Sequence, residues 1–180
     1  MIPRLRRYTG TPSALEEVTA PLIAVYAEVR APLLHLPNYA VSTFAERLAR
    51  HGREPGFGAV LAFDADDRPV GYAYGNTVES GDRWWQRMGD VDARFTSHPA
   101  LALKEIGVTV PYRGTGLARR IHDALLADRT EAYVSLMVNA AAGDGKVQRV
   151  YESWGYAVIG TSRPSPDSPV LAAMIRPTAG

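Results

Sequence analysis

The chain has 180 residues, with 20 Lys and Arg against 19 Asp and Glu, and no cysteine. At roughly 150 residues per domain, this length fits a single domain spanning residues 1–180. The missing cysteines exclude a disulfide scaffold, a thiolate metal site and a cysteine nucleophile. The net charge of +1 gives no general attraction to nucleic acid or to an anionic membrane. No apolar run approaches the roughly 18 residues of a membrane span. The basic start Arg4-Leu5-Arg6-Arg7 has no secretory apolar stretch behind it, so a cytoplasmic globular protein is expected.

Residues 3–8 read as a short first strand with a solvated basic edge. Thr11-Pro12-Ser13 opens a helix, with Ser13 and Glu16 at capping-box spacing. Leu15, Val18, Leu22, Ile23, Tyr26 and Val29 form its apolar stripe, and Pro21 is expected to kink or split it. A second helix follows residues 38–42, with Phe44 and Leu48 inward and Glu46, Arg47 and Arg50 toward water. Strands at 58–63 and 70–74 flank a polar turn and form a hairpin. Residues 76–99 read as a long irregular stretch, a candidate lid holding Trp84 and Trp85. Then come a strand at 101–110, a helix at 116–127, a strand at 133–138, a helix at 146–154, and strands at 156–160 and 169–175. The order β-α-α-β-β-β-α-β-α-β-β predicts an α+β (mixed α/β) fold: a mostly antiparallel sheet of about seven strands with four main helices.

The most informative segment is Val108-Thr109-Val110-Pro111-Tyr112-Arg113-Gly114-Thr115-Gly116-Leu117-Ala118. A strand enters a turn with two glycines, and a helix begins at once. Glycines let the backbone approach a ligand closely. Free N–H groups at a helix start make an anion site, and Arg113 adds a cation. The segment reads as a pyrophosphate cradle. It lacks the Gly-Lys-Ser/Thr ending of a P-loop and the third glycine of the dinucleotide fingerprint. Taken alone, the turn also fits a plain strand-to-helix connection.

Arg113-x-x-Gly116-x-Ala118 after a Val-x-Val strand end resembles the acetyl-CoA signature of the GNAT N-acetyltransferases, here of single-domain bacterial type. Val150-Tyr151-Glu152-Ser153-Trp154-Gly155-Tyr156 resembles the family's second segment, and the element order is similar throughout. The resemblance implies backbone contacts from Val108, Thr109 and Val110 to the pantetheine arm. It implies a pyrophosphate held by Arg113, Gly114, Thr115, Gly116, Leu117 and Ala118. Family members usually carry an Asn seven residues before the Tyr; Asp144 stands there in this chain, and Asn139 is the candidate replacement. Tyr151 lies on a helical stripe that would ordinarily be core; the resemblance implies that it protonates the leaving thiolate. His122, on the helix after the turn, reads as a surface or cofactor-edge residue.

Glu105 shares a strand face with Leu101 and Leu103. A carboxylate there needs a partner or a task. A neighbouring strand or arginine would satisfy it; alternatively it is the general base that takes the acceptor's proton. Trp84, Trp85 and Tyr72 are candidates to stack on an acceptor, or else the two Trp anchor the long loop. Glu79, Asp82, Asp90 and Asp92 would attract an amine. The resemblance thus implies direct acetyl transfer from acetyl-CoA to a small-molecule amine, such as an antibiotic or related metabolite. Neither a metal, a nucleic acid nor a membrane is expected as partner, and the chain would be a monomer or homodimer. Acetylation of a peptide or protein N-terminus, or acyl-CoA binding without turnover, are the other readings.

Overall fold

The computed structural model describes residues 2–9, 12–163 and 165–179. Among them the elements are β1 (Arg4–Thr9), α1 (Pro12–Val29), α2 (Val41–His51), β2 (Gly58–Phe63), β3 (Pro69–Val78), α3 (Arg83–Arg87), α4 (Ala93–Thr96), β4 (Ala100–Val108), α5 (Leu117–Leu126), β5 (Tyr133–Asn139), α6 (Lys146–Ser153), β6 (Ala157–Ser162) and β7 (Leu171–Pro177). The seven strands follow the order β1-β2-β3-β4-β5-β7-β6. The pairs β1–β2, β2–β3, β5–β7 and β6–β7 are antiparallel, and β4–β5 is parallel. The mixed, mostly antiparallel sheet is the fold expected from the element order. Among the described residues, no helix is long and apolar enough to cross a membrane.

The chain divides into two compact units, one of Met1–Asn76 with Lys104–Arg129, the other of Thr77–Leu103 with Thr130–Gly180. In the first, α1 turns Val18, Leu22, Val25 and Tyr26 into a core shared with Phe44 and Leu48 of α2 and with β2 and β3. Tyr26 and Phe44 stack with ring centroids 3.6 Å apart. Pro21 does not split α1, which runs unbroken through it. A proline inside a helix costs about 3 kcal/mol, whereas each large apolar side chain buried on this stripe contributes about 1.5–3 kcal/mol. The expected capping box is displaced: the helix starts at Pro12, one residue before Ser13, and Thr11 lies outside the described residues.

β3 does not stop at Tyr74, where the strand was expected to end. Gly75 pairs with Gly58, and the strand continues to Val78. The stretch expected to be irregular then folds into α3 and α4, whose N-caps are Asp82 and Asp92. Their carboxylates accept from the N–H groups of Trp84 (2.8 Å) and Arg94 (2.9 Å), so both cap helices. The second unit's core gathers Val78, Trp84, Trp85, Met88, Ala100, Ala102, Ala173 and Ile175.

Candidate active site

The glycine turn lies in the first unit. Thr109 leaves β4 with its N–H donated to Val70 O (2.9 Å), while its own carbonyl accepts from Tyr112 N (3.0 Å). Its N–H is therefore taken, while its carbonyl keeps a second acceptor position. This removes the Thr109 N–H as a contact for a pantetheine arm. A short 3₁₀ turn at Val110–Tyr112 leads into Gly114 (φ 74°) and Gly116 (φ 83°). The left-handed backbone at both positions is open to glycine at no steric cost. Nothing lies within 4 Å of where a Cβ would stand on either glycine, so the turn faces open space. Among the described residues, the N–H groups of Gly114, Thr115, Gly116, Leu117 and Ala118 make no hydrogen bond. Helix α5 begins at Leu117, and no side chain caps it. Its positive end and these donors lie together in the turn that follows Arg113, and the chemistry suits a doubly charged phosphate group.

Glu105 is held in the same unit by two arginines. Arg30 Nη2 donates to its Oε2 and Arg47 Nη2 to its Oε1, each at 3.2 Å, and its side chain is only 16% exposed. Arg30 sits one residue past the end of α1, and its N–H bonds back to Tyr26 O. Arg47 departs from the expected outward face: it lies three residues after Phe44, and its Cζ stands 5.5 Å from the Phe44 ring centroid. Its Nη1 also donates to Asn38 O (3.3 Å). Tyr26, Tyr72 and Tyr74 ring this cluster. Burial, then the Glu105 charge, pushes all three phenols above their usual range. They stay neutral near pH 7. Arg30 is held more firmly protonated, because the Tyr72 and Glu105 oxygens outweigh the cost of burial.

Tyr72 is fully buried, so it offers no ring face to a ligand and is not a stacking residue. Its ring instead meets Gly107, where a Cβ would stand 3.1 Å from Tyr72 Cε1 and 2.8 Å from Val29 Cγ1. Close packing is therefore the reason for a glycine at 107. His122, expected at the surface, is 1% exposed, with Nδ1 3.0 Å from Asp123 Oδ1.

The remaining candidates lie in the second unit. Trp84 and Trp85 are 7% and 5% exposed. Trp84 Nε1 donates to Ser135 Oγ (2.8 Å) and Trp85 Nε1 to Glu79 O (3.1 Å). Both indoles are core with their N–H groups satisfied, which corrects the stacking role given to them. Asn139 ends β5, and its Oδ1 accepts from Ala141 N (3.0 Å), so a turn occupies its carbonyl side. Tyr151 on α6 packs edge-on against Trp154 and Tyr156, with centroids 5.4 and 5.6 Å away.

Spacing did not single out Arg30, Arg47, Tyr26 and Tyr74 as site residues. The signal was indirect: a Glu on an apolar strand face demands counter-charges, and Tyr26/Arg30 and Phe44/Arg47 have the i,i+4 and i,i+3 spacings of shared helix faces.

No protein-family model matches this chain, and no curated protein does. Solved structures do. The arylalkylamine N-acetyltransferase 2 of Aedes aegypti matches with a TM-score of 0.66 at 14% identity, over 97% of this chain and 99% of the other. The ribosomal-protein-S18-alanine N-acetyltransferase of Escherichia coli matches with 0.60 at 16%, over 98% and 96%. NAA60 of Arabidopsis thaliana, crystallised with acetyl-CoA, matches with 0.61 at 13%, over 98% and 100%. Other GNAT acetyltransferases share the architecture, and this chain has the GNAT fold.

Proposed function

We propose that the chain is an acetyl-CoA-dependent N-acetyltransferase that passes the acetyl group directly to the amine of a small molecule. One observation carries this reading: among the described residues the N–H groups from Gly114 to Ala118 make no hydrogen bond, at a turn that is open around both glycines and begins α5 without a side-chain cap. Such a cradle matches a pyrophosphate and has no evident structural purpose. Acetyl-CoA would supply an acyl group already activated as a thioester.

The chain's own residues would do the rest. The cradle and Arg113 bind and orient the donor, with Val108 and Val110 along its arm. Glu105 takes the proton that the amine must shed. Each of its oxygens accepts one guanidinium hydrogen bond, and a carboxylate oxygen has a second acceptor position. Tyr151 donates a proton to the departing thiolate. A phenol and a thiol have reference pKa values of about 10 and 8.5, so little tuning is needed. With no cysteine in the chain, a thiol-linked acyl intermediate is excluded. The relatives of the same fold act on both small amines and a ribosomal protein, so the small-amine choice rests on this chain's enclosed Glu105 cluster.

Titration calorimetry with acetyl-CoA, followed by free-thiol release with a panel of amines, tests the reading. Binding and acceptor-dependent release are expected. Absence of binding overturns it, and binding without release on any amine leaves a CoA-binding module. Tyr151→Phe should lower kcat with little change in acetyl-CoA affinity, because the phenol matters most as thiolate charge develops.

A further inference from the structure

We infer that the acceptor carries a carboxylate of its own: Arg30 and Arg47 form the seat of that carboxylate, which would make the acceptor an amino acid or a small amino-carboxylate. The inference rests on the acetyltransferase reading and names its substrate class.

The argument begins with charge. Two guanidiniums face one carboxylate, and all three side chains are mostly withdrawn from water. The three surrounding phenols are neutral near pH 7 and cancel nothing. Lys104, the neighbouring cation on β4, is matched with Glu54 at 3.6 Å and supplies no spare anion. The cluster therefore carries one uncompensated positive charge. An unmatched charge held away from water is costly, and proteins keep one where a ligand of opposite sign completes it.

Hydrogen bonding points the same way. A guanidinium and a carboxylate can meet in a two-pronged fork. Neither arginine does so here. Each reaches Glu105 through a single nitrogen, and the two bonds go to different oxygens. Arg30 Nε is buried and makes no hydrogen bond. A buried donor is thus left over on Arg30, next to a second cation, Arg47, whose two terminal nitrogens each make a single bond, and beside a carboxylate that can hold an ammonium. That combination fits a zwitterion: its carboxylate on the arginines, its amine toward Glu105. The chemistry is that of any amine acetylation. The N–C bond forms as the C–S bond breaks; of the two protons the ammonium loses, one passes through Glu105 to water and frees the lone pair, and the other balances the one gained by the thiolate.

The test compares each of the twenty standard amino acids with its own α-carboxamide, which keeps the size and loses the charge. In thiol-release kinetics, at least one acid should exceed its amide in kcat/KM by about tenfold or more. Arg47→Gln should bring that ratio near one by raising the acceptor KM, with the acetyl-CoA KM unchanged. Arg47→Lys keeps the charge without the fork, and should retain part of the preference; it also serves if the Gln variant does not fold. Equal rates with acids and amides, or a preference that survives Arg47→Gln, overturn the inference and leave the acetyltransferase reading intact. If no amine releases thiol, calorimetry decides. Arg47-dependent binding of an amino acid would uphold the anionic seat while the transfer reading falls, and no binding would end both.

Discussion

Two groups of aromatic side chains mark the two units of this molecule, and they are built on opposite principles. In the first unit Tyr26, Tyr72 and Tyr74 close around Glu105, Arg30 and Arg47, and charge is kept away from water with the Arg30 Nε donor to spare. In the second, Trp84 and Trp85 sit among Met88, Ala100 and Ala102, and each indole N–H has its acceptor. Apolar side chains with satisfied polar atoms stabilise a fold and need no further explanation. Withdrawn charges that do not balance destabilise it and call for a function. From sequence the Trp pair could stack on an acceptor or anchor the long loop, and Arg47 was expected to face water. The structure puts both indoles in the core and reverses the expectation for Arg47.

The largest effect expected from breaking this contrast is at Glu105. Glu105→Gln keeps the size but cannot take a proton. If Glu105 is the base, kcat/KM should fall by about 10²–10⁴-fold near neutral pH. The ascending limb of the pH–rate profile should shift or vanish, and higher pH should partly restore the rate as free amine accumulates. A wild-type pH profile in a folded Glu105→Gln enzyme would remove the base role and leave Glu105 as the anchor of two cations. Denaturant titration should also show a loss, since Arg30 and Arg47 would then face each other without a counter-charge.

Trp84→Ala tests the other half of the contrast. Deleting so large a core side chain should cost about 3–5 kcal/mol of stability. Ser135→Ala, which strands the buried indole N–H, should cost about 1–3 kcal/mol. Neither should raise the acceptor KM selectively in enzyme that remains folded. A selective rise without loss of stability would restore Trp84 to the binding site and collapse the distinction.

These reversals show which features a sequence exposes. The β2–β3 hairpin, α5 and the Gly114–Gly116 turn were legible because backbone rules act locally: alternation, a polar turn, glycines before an apolar stripe. Long-range pairing has no such local trace. Nothing around Arg47 announces that a helix face three residues from Phe44 meets a carboxylate 58 positions away. His122 was misplaced because it was weighed as a polar residue, whereas on α5 it is buried together with Leu117, Ile121 and Leu125. Likewise Asp82 and Asp92 looked like lures for an amine but serve as caps, a role visible only once α3 and α4 are seen to start after them.

The cradle comes next in size. Gly116→Asp would place a carboxylate at the mouth of the anion site and strain a left-handed position. Acetyl-CoA affinity should fall at least tenfold, or about 1.4 kcal/mol, by calorimetry. Because nothing stands within 4 Å of the new Cβ, the fold should tolerate the side chain, and the loss should appear in binding rather than core packing. Unchanged affinity in a folded variant would reject the cofactor assignment.

The smallest effect concerns a charge in the first unit that is not withdrawn, and it sharpens the comparison by contrast with Glu105. Asp123 is 51% exposed, yet Arg119 Nε lies 2.9 Å from its carboxylate and His122 Nδ1 lies 3.0 Å away. An ionised carboxylate only accepts, so His122 must present a proton on Nδ1. Partial burial pushes the Asp123 carboxyl up, but the hydrogen bonds from His122 and Arg119 outweigh it and hold it below the usual carboxylate range. A carboxyl depressed in the folded state adds stability above its unfolded value of about 3.9, and that stability is lost as the pH falls through the folded value. Asp123→Asn should therefore be less stable than wild type by about 0.5 kcal/mol near neutral pH, because water screens so exposed a pair. The gap should close as the pH drops below about 4. Urea titrations of both proteins across that range measure it directly. A gap that persists unchanged in acid would mean the side chain acts by packing on His122 rather than by its charge.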